Sequence, residues 1–424
     1  MSLALLAASG LLYGPSALPA SIAESPSSVT SIGLWRMHAI SSGGDGPDGV
    51  RLADLDGDGL EDVVTSFETS GEVMVYLHPA SGVLSEPWPS VNVGSIARGE
   101  DALGMDVDGD GAIDIVSSHE GDTMGIYVHW APIDPTLYML PEAWGDPGLI
   151  PHSKGRSWMF ALPMDVNQDG RMDLVAGSKD DYEYGRDSVG DIGWFEAPVK
   201  NRRDLDSWAY HSIGLAGWTM SIIAYDVNGD GFDDLLLTDR NADVDHMGAR
   251  WLQNPGEDWD QPWLSHFLGD LAGTRPTFMA FGDLDGDDID EFIVPLSDQA
   301  KVIILHRTSV GNESEYSSNV IEFSTESGYG LIKAVEVHDI DNDGRMDIIV
   351  TFVGGQYGVI WASYQASPFE GPWDLHVISE VTGAKFDLIQ LYDVDGDGDE
   401  DILTTEEVHN LGVLWFENPL VGDD

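Results

Sequence analysis

Seven short acidic segments carry the residue types best suited to chemistry in this chain: residues 54–62 (DLDGDGLED), 106–114 (DVDGDGAID), 165–173 (DVNQDGRMD), 226–234 (DVNGDGFDD), 283–291 (DLDGDDIDE), 339–347 (DIDNDGRMD) and 393–401 (DVDGDGDED). Positions 1, 3, 5 and 9 of each offer a side-chain oxygen. They are Asp54, Asp56, Asp58 and Asp62 in the first and Asp106, Asp108, Asp110 and Asp114 in the second. Asp165, Asn167, Asp169 and Asp173 follow, then Asp226, Asn228, Asp230 and Asp234, then Asp283, Asp285, Asp287 and Glu291. The last two sets are Asp339, Asp341, Asp343, Asp347 and Asp393, Asp395, Asp397, Asp401. Several hard oxygens on one glycine-turned loop, with the position-7 carbonyl to spare, suit calcium; magnesium keeps more waters, and zinc takes histidine or thiolate. An EF-hand would need Glu at position 12, where Thr65, Ser117, Ala176, Leu237, Val294, Val350 and Thr404 stand instead. The fifth loop departs from the pattern, with Asp288 in a glycine's place and Glu291 at position 9. Up to seven calcium ions are expected, with the fifth site the doubtful one.

The elements that position these loops follow from their spacing. Successive loops start 52 to 61 residues apart. Before each stands an apolar stretch such as 50–53 or 388–392, and after it a β-branched run such as Val63-Val64 or Ile348-Ile349-Val350. A third strand ends in an aromatic and proline signature (GWFEAP at 193–198, WLQNP at 251–255, WFENP at 415–419), and a fourth reads Trp-x-x-His at 35–38, 208–211, 263–266 and 373–376. Four strands per unit and seven units predict an all-β fold, a seven-bladed β-propeller of four-stranded blades. The chain opens on a fourth-strand signature and closes on a third-strand one, so residues 34–40 are expected to complete the last blade and close the ring. Residues three apart on a strand face opposite sides, so Trp and His of the fourth strand form no common site and are read as packing residues.

Composition narrows the partners. The 424 residues hold 75 acidic against 19 basic side chains, a formal net charge of −56, which repels nucleic acid and anionic membranes. Seven calcium ions would leave about −42, so metal accounts for part of the acidity. Cysteine is absent, so neither disulfides nor a thiol nucleophile contribute. An apolar run at 3–12 and the small residues Ser21-Ile22-Ala23 read as a signal peptide over 1–23, followed by a linker at 24–33, the propeller at 34–419 and a tail at 420–424. Secretion and a monomer without a transmembrane segment are the corresponding expectations.

The loops and the Trp-Leu-Gln-Asn-Pro and Trp-Phe-Glu-Asn-Pro segments resemble the FG-GAP or VCBS-repeat propellers, a group that includes the integrin α-subunit head and some fungal lectins. The resemblance covers residues 34–419, and extends to the propeller part of fungal aldos-2-ulose dehydratase and to bacterial secreted proteins. It implies calcium between the first and second strands of each blade, on one rim. The group is functionally mixed, so the likeness bears on fold more than on activity.

With one rim assigned to metal, ligand sites belong to the opposite face. Eight of the 19 basic residues fall in its loops: Arg98, Lys154, Arg156, Arg275, Lys385, Lys179, Arg186 and Arg240, beside His119, Trp158, Tyr182, Tyr184, Trp218, His246, Tyr329 and His409. Either they form a cationic, aromatic-lined depression that draws in an anionic sugar or small anion, or they pair with Glu100, Asp101, Glu120, Asp239, Asp387, Glu406 and Glu407 in the same loops. The first reading is a module that binds carbohydrate or another extracellular ligand, with Arg98, Lys154, Arg156, Trp158, Tyr184, Trp218, Arg240 and Lys385 as ligand-binding residues. The alternative is a polysaccharide lyase or sugar dehydratase acting by elimination on an anionic or keto sugar. There Lys154, Arg156 or Arg240 would stabilise the enolate, and His119, His246 or Tyr182 would be the base. A glycosidase built on two carboxylates of this face is a third reading.

Overall fold

The computed structural model describes residues 29–30, 33–41, 43–79, 83–179, 190–240, 247–307 and 316–421. Seven antiparallel four-stranded sheets stand in a ring, as the repeat predicts. The first blade comprises Pro47–Ala53, Asp62–Phe67, Glu72–Tyr76 and Ser90–Ser95, here called strands a to d, and the next five repeat that order. In the seventh, Phe386–Tyr392, Asp401–Glu406 and Gly412–Glu417 take their outer strand from Arg36–Ala39, with His38 opposite Trp415. The ring is closed by the two ends of the propeller, as expected. A short segment, Val29–Thr30, adds a parallel fifth strand to blade six.

Strand b shows why the hydrophobic runs follow the acidic loops. In Asp62–Phe67, Asp234–Asp239 and Asp401–Glu406 every residue is buried, because each sheet is covered on both faces by neighbouring blades. The strand-c tryptophans fill the space further out. Trp415, Trp194, Trp251 and Trp361 each stack on the histidine directly across strand d, His38, His211, His266 and His376, with ring centroids 3.8 to 4.5 Å apart. The fourth-strand histidines are thus packing residues, and their partner is the third-strand tryptophan across the ladder.

Loop chemistry ties each blade to the next. In all seven acidic loops the position-9 carboxylate accepts from the backbone N–H of position 2, at 2.9–3.2 Å. The carbonyl of that same residue accepts from the following blade in five cases. Asn254 Nδ2 donates to Val166, Arg307 to Val227, Tyr364 Oη to Leu284, Asn418 Nδ2 to Ile340, and His78 Nε2 of blade one to Val394 of blade seven. Asn254 and Asn418 also donate to Asp233 and Glu400 in their own loops, which explains the asparagine of the Trp-x-x-Asn-Pro segments.

Replacing Asn254 or Asn418, both buried, by alanine leaves two carbonyls without their donor. Each substitution is expected to lower stability by about 1–3 kcal/mol. Chemical denaturation followed by tryptophan fluorescence measures it; an unchanged midpoint would show that these bonds do not hold the blades.

Candidate functional site

The acidic loops are shaped by their own side chains. Position 1 receives the N–H of position 6 in every loop, at 2.8–3.1 Å, folding the chain into a tight cradle. This path puts positions 4 and 6 at positive φ, where glycine stands in most loops and Gln168 and Asn342 adopt φ 53° and 54° at position 4. The fifth loop keeps the same path: Asp288 adopts φ 65° and its N–H reaches Asp283. The longer Glu291 is held by Leu284 N–H and by His306 Nδ1 at 2.8 Å.

Carboxylate oxygens gather within 4.8 Å of one another in Asp54/Asp56/Asp58, Asp106/Asp108/Asp114, Asp283/Asp285/Glu291 and Asp339/Asp341/Asp347, groups that could hold a metal ion. Burial pushes the position-9 carboxyls up, to about 7 for Asp62, Asp114, Asp173, Asp234 and Glu291 and about 8 for Asp347 and Asp401. Desolvated carboxylates crowded together in this way call for a counter-charge. Arginines answer part of the need: Arg203 lies 3.3 Å from Asp108, and Arg171 and Arg345 pair with Asp169 and Asp343.

On the opposite face, an axial cavity of about 200 Å³ draws lining residues from all seven blades. Asp48, Glu68, Arg98, Glu100 and Glu120 come from blades one and two; Lys179, Trp218, Arg240, Lys333 and Lys385 come from blades three, four, six and seven, over a floor of Met159, Phe160, Met220 and Phe278. One side of the cavity is therefore rich in acids and the other in bases. A register shift near the cavity end of strand a places several of these groups. The pairing passes over Glu100, Met159 and Met220 in blades two to four, and the shifts in blades six and seven span Lys333 and Asp387. A bulge breaks the in-out alternation of a strand, so side chains that the pattern assigns to packing are aimed at the axis.

The charges are arranged in pairs. Lys179 contacts Glu120 and lies 3.7 Å from Glu100; Arg98 is 2.8 Å from Glu68; Lys333 is 3.1 Å from Asp387; and Lys385 pairs with Glu407 and, at 3.8 Å, with Asp387. Burial holds the Glu100 and Asp48 carboxyls well above the usual range, whereas Lys333 and Lys385 draw Asp387 down against its own burial. Trp218 carries two of the cations on its ring, Arg240 at 4.0 Å and Lys179 at 4.4 Å from the centroid. Its part in the cavity is to seat cations. Asp239 fixes that platform by accepting the N–H groups of Gly217 and Trp218 at 2.7 and 2.8 Å.

Of the residues singled out from the sequence, Arg98, Lys179, Trp218, Arg240 and Lys385 converge on this cavity. Lys154 is exposed and lies off it, as does Arg156, which pairs with Asp191 at 3.2 Å and sits over Tyr210. Trp158 is fully buried in the core, its N–H on Ser153 O, because the turn at Pro151–Ser153 folds the chain inward. His119 is also fully buried, between Ala97 O and Ser117 Oγ, the latter bonded in turn to His129. Tyr182, Tyr184, Arg186 and His246 lie outside the described residues. Lys333, Met159 and Met220 were not readable as site residues; the one signal for Lys333 is a lysine flanked by the apolar Leu331, Ile332, Ala334 and Val335.

Burial lowers His119 to about 4 and His129 to about 3. An unfolded histidine protonates near 6.5, so below that pH the unfolded chain gains protons that the folded one refuses, and stability falls as pH drops from 6.5 towards 4. His119→Gln is expected to make that acid limb shallower by about one proton, or about 1.4 kcal/mol per pH unit. Denaturation curves at pH 7, 5.5 and 4.5 test it; parallel limbs for wild type and variant would refute it.

Comparisons with known proteins fit this architecture. An FG-GAP-like repeat model matches residues 54–117, 106–176 and 165–237, each match starting on position 1 of an acidic loop. No curated protein matches the chain in sequence. Among solved structures, BBS1N in complex with ARL6DN is 12% identical with a TM-score of 0.51, covering 93% of this chain and 99% of that one. An ancestral GH74 enzyme is 11% identical with a TM-score of 0.50, covering 91% of this chain but 48% of its own. At such identities the likeness concerns the fold alone. Among the described residues no helix is long and apolar enough to cross a membrane.

Proposed function

We propose that this seven-bladed β-propeller, with FG-GAP-like repeats matched over residues 54–237, is an exported, calcium-loaded module that binds carbohydrate in the axial cavity on the face opposite its acidic loops. The observation that carries this reading is the cavity itself: all seven blades contribute to it, and it concentrates five of the chain's 19 basic residues in a protein of net charge −56. Charged walls offer a hydroxylated ligand many hydrogen bonds, and fixed strand ends hold them in place.

Calcium is assigned to the loops because their donors are hard oxygens from positions 1, 3, 5 and 9 with the position-7 carbonyl beside them. Bound there, it supplies charge to desolvated carboxylates and leaves the cavity chemistry to side chains of the other face. Residues 1–23 are assigned to export and the mature chain to a monomer, because the ring leaves no open blade.

An elimination enzyme is the second reading. What favours it is Glu100, a carboxyl raised by burial and hydrogen-bonded to Glu120 with Lys179 beside it, the type of group that transfers protons in general acid–base catalysis. The unsaturated product of a cleaved uronate polymer absorbs in the ultraviolet, so a rising trace supports catalysis and a flat trace with saturable sugar binding supports the module.

Chelation with EGTA is expected to lower the thermal midpoint, and calcium to restore it better than magnesium does. Indifference of the midpoint to both would refute the assignment of calcium. Protein collected from the culture medium should begin at Glu24.

A further inference from the structure

We infer that the ligand of the axial cavity carries one carboxylate on a hydroxylated body about the size of a single sugar ring, and that Arg240 receives that carboxylate. This rests on the ligand-binding reading above and specifies it.

The argument is an inventory of the cavity's cations. Arg98 is matched by Glu68, Lys179 by Glu120 and Glu100, Lys333 by Asp387, and Lys385 by Glu407. Arg240 differs from them. Among the described residues no carboxylate lies within ion-pair distance of its guanidinium, which rests on the Trp218 ring at 4.0 Å. Its backbone is fixed by a bond from its N–H to Trp218 O at 3.1 Å, and Trp218 is fixed in turn by Asp239. The guanidinium is thus seated before any ligand arrives. Burial disfavours its charge, and the more distant Asp387, Glu100 and Asp48 offset this only in part. A half-buried cation with no counter-ion among the described residues, in a protein with an excess of acids, leaves an electrostatic deficit that an incoming anion fills.

Three features narrow the anion. A guanidinium held over an aromatic ring, with no side-chain hydrogen bond to it among the described residues, can offer paired N–H groups to a planar, two-oxygen acceptor, the geometry of a carboxylate. The opposite wall carries the carboxyls of Asp48, Glu100 and Glu120, so a second negative charge on the ligand would meet repulsion, whereas hydroxyl groups would find acceptors. The volume of about 200 Å³ is below the roughly 300–1,000 Å³ of sites for drug-sized molecules, room for one ring. A free sugar acid and the end residue of a uronate chain share this chemistry.

Isothermal titration of the calcium-loaded full chain with D-glucuronate, D-glucose and D-glucose 6-phosphate tests the inference, with an oligogalacturonate to separate a chain end from a free sugar acid. Glucuronate is expected to bind at least tenfold more tightly than glucose or the phosphate, and to weaken with added salt. Arg240→Gln should remove at least tenfold of the glucuronate affinity, a larger loss than any it causes for glucose, and Arg240→Lys should fall between. Matching thermal midpoints show that the variants fold. Glucose binding as well as glucuronate, the phosphate binding best, or Arg240→Gln binding glucuronate as wild type does would each overturn the single-carboxylate inference and leave carbohydrate binding standing. If none of the sugars binds, the carbohydrate reading falls and this inference with it.

Discussion

The backbone of one residue per blade, its N–H and its carbonyl, ties the blades together. At position 2 of each acidic loop the N–H is bound by the loop's own position-9 carboxylate, and in five blades the carbonyl is bound by a side chain of the next blade. The carboxylate is charged or crowded towards protonation, it is buried, and it organises the cradle above it. The side chain from the next blade is Asn, Arg, Tyr or His, so the requirement is for a donor and not for a residue type. What happens electrically in one loop is thereby transmitted to the packing of the next sheet. Blade faces are apolar and pack without direction; these bonds supply the direction.

That arrangement explains why the fold was so legible and the cavity only partly so. The acidic loops recur because each must turn the chain and clamp it, so their period displayed the blades, the ring closure at Arg36–Ala39 and the identity of the two faces. Loop residues that project to the axis, Arg98, Trp218, Arg240 and Lys385, could be collected by position alone. Lys333, Glu100, Met159 and Met220 depend on register shifts in strand a, and a bulge leaves no mark in a hydrophobic pattern. Trp158 and His119 show the converse: membership of a loop region says nothing of side-chain direction, and both turn into the interior. The fifth loop shows that Asp288 can adopt the left-handed backbone in a glycine's place, at φ 65°.

Most of the basic residues at the cavity follow the pairing alternative. Lys179, Lys333 and Lys385 are absorbed in pairs that keep carboxylates tolerable near the axis. Arg240 stands outside that pairing, and its support by Trp218 replaces the counter-ion that the others have. Most of the charge lining the cavity is thus held in ion pairs.

The closing strand carries a consequence for how the chain comes into being. Arg36–Ala39 leads the synthesised propeller, yet its partner Gly412–Glu417 is the last strand made, and His38 meets Glu417 across 379 positions of sequence. While the ribosome is still producing the blades between them, the first strand has no sheet to join, and blade seven cannot mature at all. Six blades can form in order of emergence, but the circle is sealed by the slowest kind of contact, one of maximal sequence separation. Loss of a few residues from either end of the propeller would therefore leave a split ring with two raw edges instead of a slightly smaller particle.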